Sequence, residues 1–120
     1  MRSSNKLKGA QGEAIAAQYL LNKGYQILEK NWHYSTNAEI DIIAKDCQQY
    51  VFVEVKTRTS CNYGHPFEAI NYTKLKRIEA AGLAYLNQIN DKKSDFRVDV
   101  VAVINPKNPQ IEHLVGVCSD

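Results

Sequence analysis

The sequence predicts an α/β domain, a mixed β-sheet flanked by helices in the order α-β-β-β-α-β-(β). Three features lead there. An apolar stripe at helical spacing comes first, then a group of strand-like runs, and a second helical stripe separates that group from a strongly β-branched run. The chain has 120 residues, 44% of them hydrophobic and 23% charged, which suits one domain with one core and leaves no room for a second.

The first helix is expected from about Lys6 to Lys23, with Ile15, Tyr19 and Leu20 on its apolar stripe beside Ala16 and Ala17. Gly24 ends it, because glycine adopts the left-handed conformation at a C′ position without cost. Gly9 and Gly12 weaken helix propensity, which signals either a late helix start or a close backbone approach. Tyr25 to Lys30 reads as the first strand. Glu39 to Ala44 and Tyr50 to Lys56 read as the second and third, joined as a hairpin by a polar connection of four or five residues. Thr57 to Phe67 contains Gly64 and Pro66 and reads as loop. Asn71 is a suitable N-cap for a second helix ending near Asn90, with Leu75, Ile78, Gly82, Leu86 and Ile89 on one face. Phe96 to Ile104 is a β-branched strand closed by Asn105-Pro106, and Ile111 to Val117 is a weaker last one.

Composition narrows the function. No run of about 18 apolar residues exists, which speaks against a membrane span. The N-terminal Met1-Arg2-Ser3-Ser4-Asn5-Lys6 leads into no apolar core of signal-peptide length, so a cytoplasmic protein is expected. Cys47, Cys61 and Cys118 form no C-x-x-C pair and read as reduced thiols. A net charge of +2 neither demands nor excludes a nucleic acid. Neither a G-x-G-x-x-G nor a phosphate loop is present, so dinucleotide chemistry lacks support.

The chemistry gathers on the second and third strands. Side chains alternate across a strand, so Glu39 and Asp41 share one face, and Phe52, Glu54 and Lys56 share one face of the next. The third strand is apolar on both sides, so Glu54 and Lys56 are costly to bury unless they meet partners or reach water at the strand end. Two hairpin registers bring Asp41 close to Glu54: one pairs them directly with a loop from Asp46 to Gln49, the other pairs Asp41 with Phe52 and leaves Glu54 diagonal. Adjacent carboxylates repel, and a hard divalent cation satisfies both. Lys56, one step on, would then lie beside that ion and stabilise anionic charge. Two acids and a lysine around a metal suit phosphodiester hydrolysis.

Asp41, followed after twelve intervening residues by Glu54-Val55-Lys56, resembles the D…(D/E)-x-K signature of the restriction-endonuclease-like superfamily. The wider pattern is more specific: Gly9-x-x-Gly12-Glu13-x-x-Ala16-x-x-Tyr19-Leu20, Gly24-Tyr25-x-Ile27-Leu28-x-x-Asn31, Glu39 to Ala44, and Val51-Phe52-Val53-Glu54-Val55-Lys56-x-Arg58. Together with Ala69-Ile70, Lys74, Arg77 and Arg97-Val98-Asp99-Val100-Val101, these resemble the YraN-like family of small bacterial proteins, usually described as predicted endonucleases. The resemblance runs from about Gly9 to Val117. It implies a restriction-endonuclease-like core and, through the archaeal Holliday-junction resolvases of similar layout, a DNA partner of branched structure and a homodimer. It also implies a metal, Mg2+ or Mn2+, held by Asp41, Glu54 and the Val55 carbonyl, with Glu13 as a ligand from the first helix and Lys56 beside the scissile phosphate. One departure is Ala38, where the family usually carries glycine before Glu39-Ile40-Asp41.

Other residues divide between function and plain structure. Glu13 also suits the first turns of a helix through the macrodipole. Arg58, Lys74, Lys76 and Arg77 are candidates for backbone-phosphate contacts, although helix faces are normally charged. Lys6, Lys8, Lys92 and Lys93 could extend a basic surface. His33, His65 and His113 lack metal-like spacing and read as structural or surface residues. Asp99 reads as a partly buried acid near the site or, more simply, as one paired with a nearby lysine or arginine, and Trp32 and Tyr34 as packing under a loop or stacking on bases. Two functions of different class remain: a metal-dependent endonuclease for branched or damaged DNA, and a catalytically silent module that binds nucleic acid or protein on the same fold.

Overall fold

A computed structural model describes residues 2–36, 38–60, 62, 64–91 and 93–118, with the side chains of residues 2–8 left aside. Lys92 and Cys61, and the side chains of Lys6 and Lys8, therefore lie outside the described residues. Helix α1 (Arg2–Asn22) precedes strands β1 (Gln26–Ser35), β2 (Ala38–Asp46) and β3 (Gln49–Arg58). A short 3-10 turn (Pro66–Ala69), helix α2 (Tyr72–Gln88), β4 (Phe96–Ile104) and β5 (Gln110–Leu114) complete the chain. The strands form one sheet in the order β1-β2-β3-β4-β5. Only β3 and β4 run parallel, and α2 makes the crossover between them.

The sheet is covered on both faces, which is why its central strands carry apolar residues on both sides. On one face Ala16, Ala17 and Leu20 of α1 pack on Ile42, Val51, Val53, Val101 and Val103. On the other, Leu75, Ile78, Ala81 and Tyr85 of α2 pack on Ile43, Phe52 and Val98. Gly24 takes φ +92 directly after α1, as its position predicts. Asn71 caps α2, its side chain accepting the Lys74 amide at 3.1 Å.

Several details differ from the sequence reading, among them α1, which starts at Arg2 rather than about Lys6, and β3, which runs on to Arg58. Strand β1 runs to Ser35 rather than Lys30: two register irregularities and Asn31 at φ +51 break the alternation that would have marked it. The β2–β3 hairpin closes on a two-residue turn, Cys47-Gln48, because Asp46 pairs with Gln49. Ile89 is 41% exposed and leaves the buried face of α2, whose packing uses Ala81 and Tyr85 instead. Strand β5 stops at Leu114, where Gly116 turns at φ +67 before the Val117 amide bonds the Val98 carbonyl at 2.7 Å. No described helix is long and apolar enough to cross a membrane.

Candidate metal and phosphate site

The site lies where β2 and β3 part. Their ladder pairs Ile42 with Val53, and the same register carried one step further sets Asp41 opposite Glu54, the direct pairing of the two anticipated. Beyond Val53 the backbone pairing gives way to a side chain: the Val55 amide donates to Asp41 Oδ2 at 2.8 Å. Burial, then the direct interaction with the Glu54 carboxyl and its charge, push the Asp41 carboxyl up to about 8, against the pull of the Val55 amide. Glu54 is only 5% exposed. Burial would raise its carboxyl, but the interactions with Asp41 and the Lys74 ammonium outweigh that and hold it below the usual range.

Lys74 is the cation the buried glutamate meets, with Nζ 2.8 Å from Glu54 Oε2. It reaches inward from the first turn of α2, and burial, which would lower its ammonium, is outweighed by Glu54. Lys56 is half-buried and lines the same small recess as Glu54, Asn71 and Lys74. The structure thus brings together Asp41, Glu54, Lys56 and Lys74. Lys74 is the residue whose place the sequence understated, because its partner lies twenty residues away across the crossover.

Glu13 arrives from α1. A Cβ on Gly12 would fall 1.9 Å from Thr57 Oγ1 and 3.0 Å from Thr57 Cβ, so the helix crosses β3 at a distance only glycine permits. Close approach is thus the meaning of Gly12, whereas a Cβ on Gly9 would meet nothing within 4 Å. Burial raises the Glu13 carboxyl, the neighbouring Asn31 side chain opposes this, and the charges of Glu39 and Glu54 raise it further. Glu13 is within electrostatic reach of the pair without joining it: among the described residues no three His, Cys, Asp or Glu side chains converge as a metal-holding group. The donor set still suits a hard ion, since Mg2+ commonly takes one or two carboxylates and completes its shell with water and substrate phosphate.

Of the expected phosphate contacts, Arg77 lines a cleft of about 290 Å3 with Lys74, Thr36, Glu39 and Ile78. Lys76 is exposed on α2 and does not line it, and Arg58 is exposed with Nη1 donating to the Thr57 carbonyl at 3.0 Å. Asp99 is not in this site. It is fully buried on the α1 face, where it accepts from Arg97 at 3.0 Å, meets His113 Nε2 at 2.7 Å and accepts from the Gly116 amide at 3.0 Å. Tyr19 Oη meets His113 Nδ1 at 3.1 Å and Arg97 donates to Tyr25 Oη at 2.6 Å, so the network is structural and His113 belongs to it.

The model of the uncharacterised protein family UPF0102 matches residues 12–103 of the chain. A UPF0102 protein of Paenarthrobacter aurescens (strain TC1) is 44% identical over 120 residues, covering 98% of each chain. One from Caldanaerobacter subterraneus subsp. tengcongensis is 46% identical over 110 residues, 91% of this chain and 89% of its own. One from Chlorobium phaeobacteroides (strain BS1) is 47% identical over 96 residues, 80% of this chain and 75% of its own.

Proposed function

The chain belongs to the UPF0102 family, the family its motifs resemble, and from that premise and the site geometry we propose that it is a metal-dependent endonuclease acting on structured DNA. The observation that carries this reading is the register that sets Asp41 opposite Glu54 with Val55 tied to Asp41 and Lys74 on Glu54. Asp41, Glu54 and the Val55 carbonyl would hold Mg2+ or Mn2+, with Glu13 acting from α1. The ion supplies Lewis-acid stabilisation of phosphodiester hydrolysis when bound. Lys56, next along the same face of β3, offers its ammonium to the developing charge on the scissile phosphate. Lys74, Lys76 and Arg77 offer positive charge to neighbouring backbone phosphates from α2.

A specific observation favours a second reading. The Lys74–Glu54 pair already neutralises a buried acid without a metal, which is what a catalytically silent module would need. One experiment separates the two. Purified protein with Mg2+ or Mn2+ is offered labelled four-way junction, flap, duplex and single-stranded DNA, beside the Asp41→Asn variant. Under the nuclease reading the wild type cuts and the folded variant loses at least about 100-fold in rate. Equal cutting by both proteins refutes the assignment of Asp41, and binding without cutting by both establishes the silent module.

A further inference from the structure

A cleft of about 710 Å3 lies between β1 and the C-terminal half of α2, lined by Trp32, His33 and Tyr34 on one side and Leu83, Ala84, Asn87 and Gln88 on the other. The acid pair lies outside it. The Trp32 and Tyr34 rings lie nearly parallel, 13° between planes and 6.3 Å between centroids. Tyr85 meets Trp32 edge-on at 5.4 Å and fixes it from the core side. Tyr34 is 65% exposed, so one side of the stacked pair presents a large aromatic surface to the solvent. The amides of Asn87 and Gln88 each offer donor and acceptor groups, and among the described residues no Lys, Arg, Asp or Glu lines the cleft. Aromatic faces with neutral hydrogen-bonding groups are the chemistry that takes a nucleobase.

What precedes this cleft along α2 gives the occupant its polarity. The cleft of Lys74, Arg77, Thr36 and Glu39 lies one step nearer Glu54. Arg77 and Ala84 are two helical turns apart, about 10 Å along the axis. Cationic groups beside the acids are thus followed on the same helix by a neutral aromatic cleft, in the order that a strand leaving a scissile phosphate would meet them. We propose that this cleft holds unpaired bases of a single-stranded stretch of nucleic acid, its backbone led past Arg77 and Lys74. The inference rests on the endonuclease reading for its ligand class and deepens it: the substrate is one with an unpaired strand next to the cut.

Trp32 is the single tryptophan of the chain, so its emission reports on the cleft alone. Full-length protein in EDTA is titrated with a short oligothymidylate and with an abasic strand carrying the same number of phosphates. Quenching by the base-bearing strand and not by the abasic one is expected, with Tyr34→Ala raising Kd about ten-fold and Tyr34→Phe leaving it unchanged. Equal responses to both strands, or no effect of Tyr34→Ala, overturn the proposal. So does a shift from dimer to monomer in Tyr34→Ala with strand binding intact, which makes the cleft a contact between two copies. Because no metal is present, the outcome is separable from catalysis. Cutting without quenching removes this cleft and leaves the nuclease; quenching without cutting under Mg2+ or Mn2+ does the reverse.

Discussion

Replacing Gly12 by alanine puts the crossing of α1 over β3 to a direct test. The new methyl would fall 1.9 Å from Thr57 Oγ1, 3.1 Å from its Cγ2 and 3.0 Å from its Cβ. Rotation of the threonine removes the worst of these contacts but leaves the two Cβ atoms at 3.0 Å, well inside the roughly 3.5–4.0 Å separation of packed carbons. The helix must therefore lift from the strand, carrying Glu13 with it. Overpacking of this kind costs about 1–3 kcal/mol, while alanine regains about 1 kcal/mol of helix propensity, so a net loss of about 1 kcal/mol is expected. That corresponds to a fall in Tm of about 3–6 °C in a domain of this size. In a Thr57→Gly background all three contacts are gone and only the propensity gain remains, so the same change should stabilise by about 1 kcal/mol. Urea unfolding of the four proteins measures a coupling of about 2 kcal/mol. Additivity within about 0.3 kcal/mol, or stabilisation by Gly12→Ala alone, refutes the close crossing.

Asp99→Asn should cost about 3 kcal/mol, since it leaves Arg97 and His113 facing a neutral amide in a fully buried position. Burial would raise the Asp99 carboxyl, but the bonds from His113, Arg97 and the Gly116 amide hold it below its ordinary value. Its contribution is therefore complete above the unfolded carboxylate range near pH 4 and lost as pH falls through the lower folded value. Urea midpoints from pH 7 downward should fall less steeply in Asp99→Asn than in the wild type; parallel curves contradict this. Lys74→Met should destabilise by about 1 kcal/mol, a charged hydrogen bond discounted because the lysine is 53% exposed. An unchanged urea midpoint would show that Glu54 does not depend on that ammonium.

Much of this was legible because local rules agree with the fold. The β-branched run Phe96–Ile104 became β4 without adjustment, and the Asn71 cap and Gly24 stop fall where propensity puts them. Alternation and a short hairpin put Asp41 and Glu54 on one face with two registers open, and the ladder takes the direct one. Strand β1 was truncated in the reading because its outer half is exposed and bulged, leaving no periodic signal. His113 lacked a metal-like pattern for a good reason, its partner Asp99 being supplied by the neighbouring strand β4. Lys74 was one charge among several on a helix face until the crossover carried it to Glu54. Long-range pairing of that kind has no periodicity to betray it.

The position of Asp41 also decides which substitution can test it. The β2–β3 ladder runs from the turn up to Ile42 and Val53, and Val55 lies just past that last pair with its amide turned to a carboxylate. Asp41 thus continues the pairing by side chain, and a buried amide left without it would cost about 1–3 kcal/mol. Asp41→Ala removes the acceptor, the partner of Glu54 and the candidate metal oxygen together, so loss of cleavage in that variant would say little. Asparagine keeps an oxygen for the Val55 amide and offers an NH2 to Glu54 in place of the carboxyl proton. Burial and Glu54 hold the Asp41 carboxyl up at about 8, so between about pH 4 and 8 the folded state retains a proton that the unfolded chain has released. Stability that this group supplies at low pH is lost as pH rises through that window. Asp41→Asn carries no such proton. Its urea midpoint should match or exceed the wild type near pH 8 in EDTA, whereas Asp41→Ala should fall below both. An asparagine variant as unstable as the alanine one would mean that the carboxyl pair, and not the bond to Val55, holds the two strands together at the site.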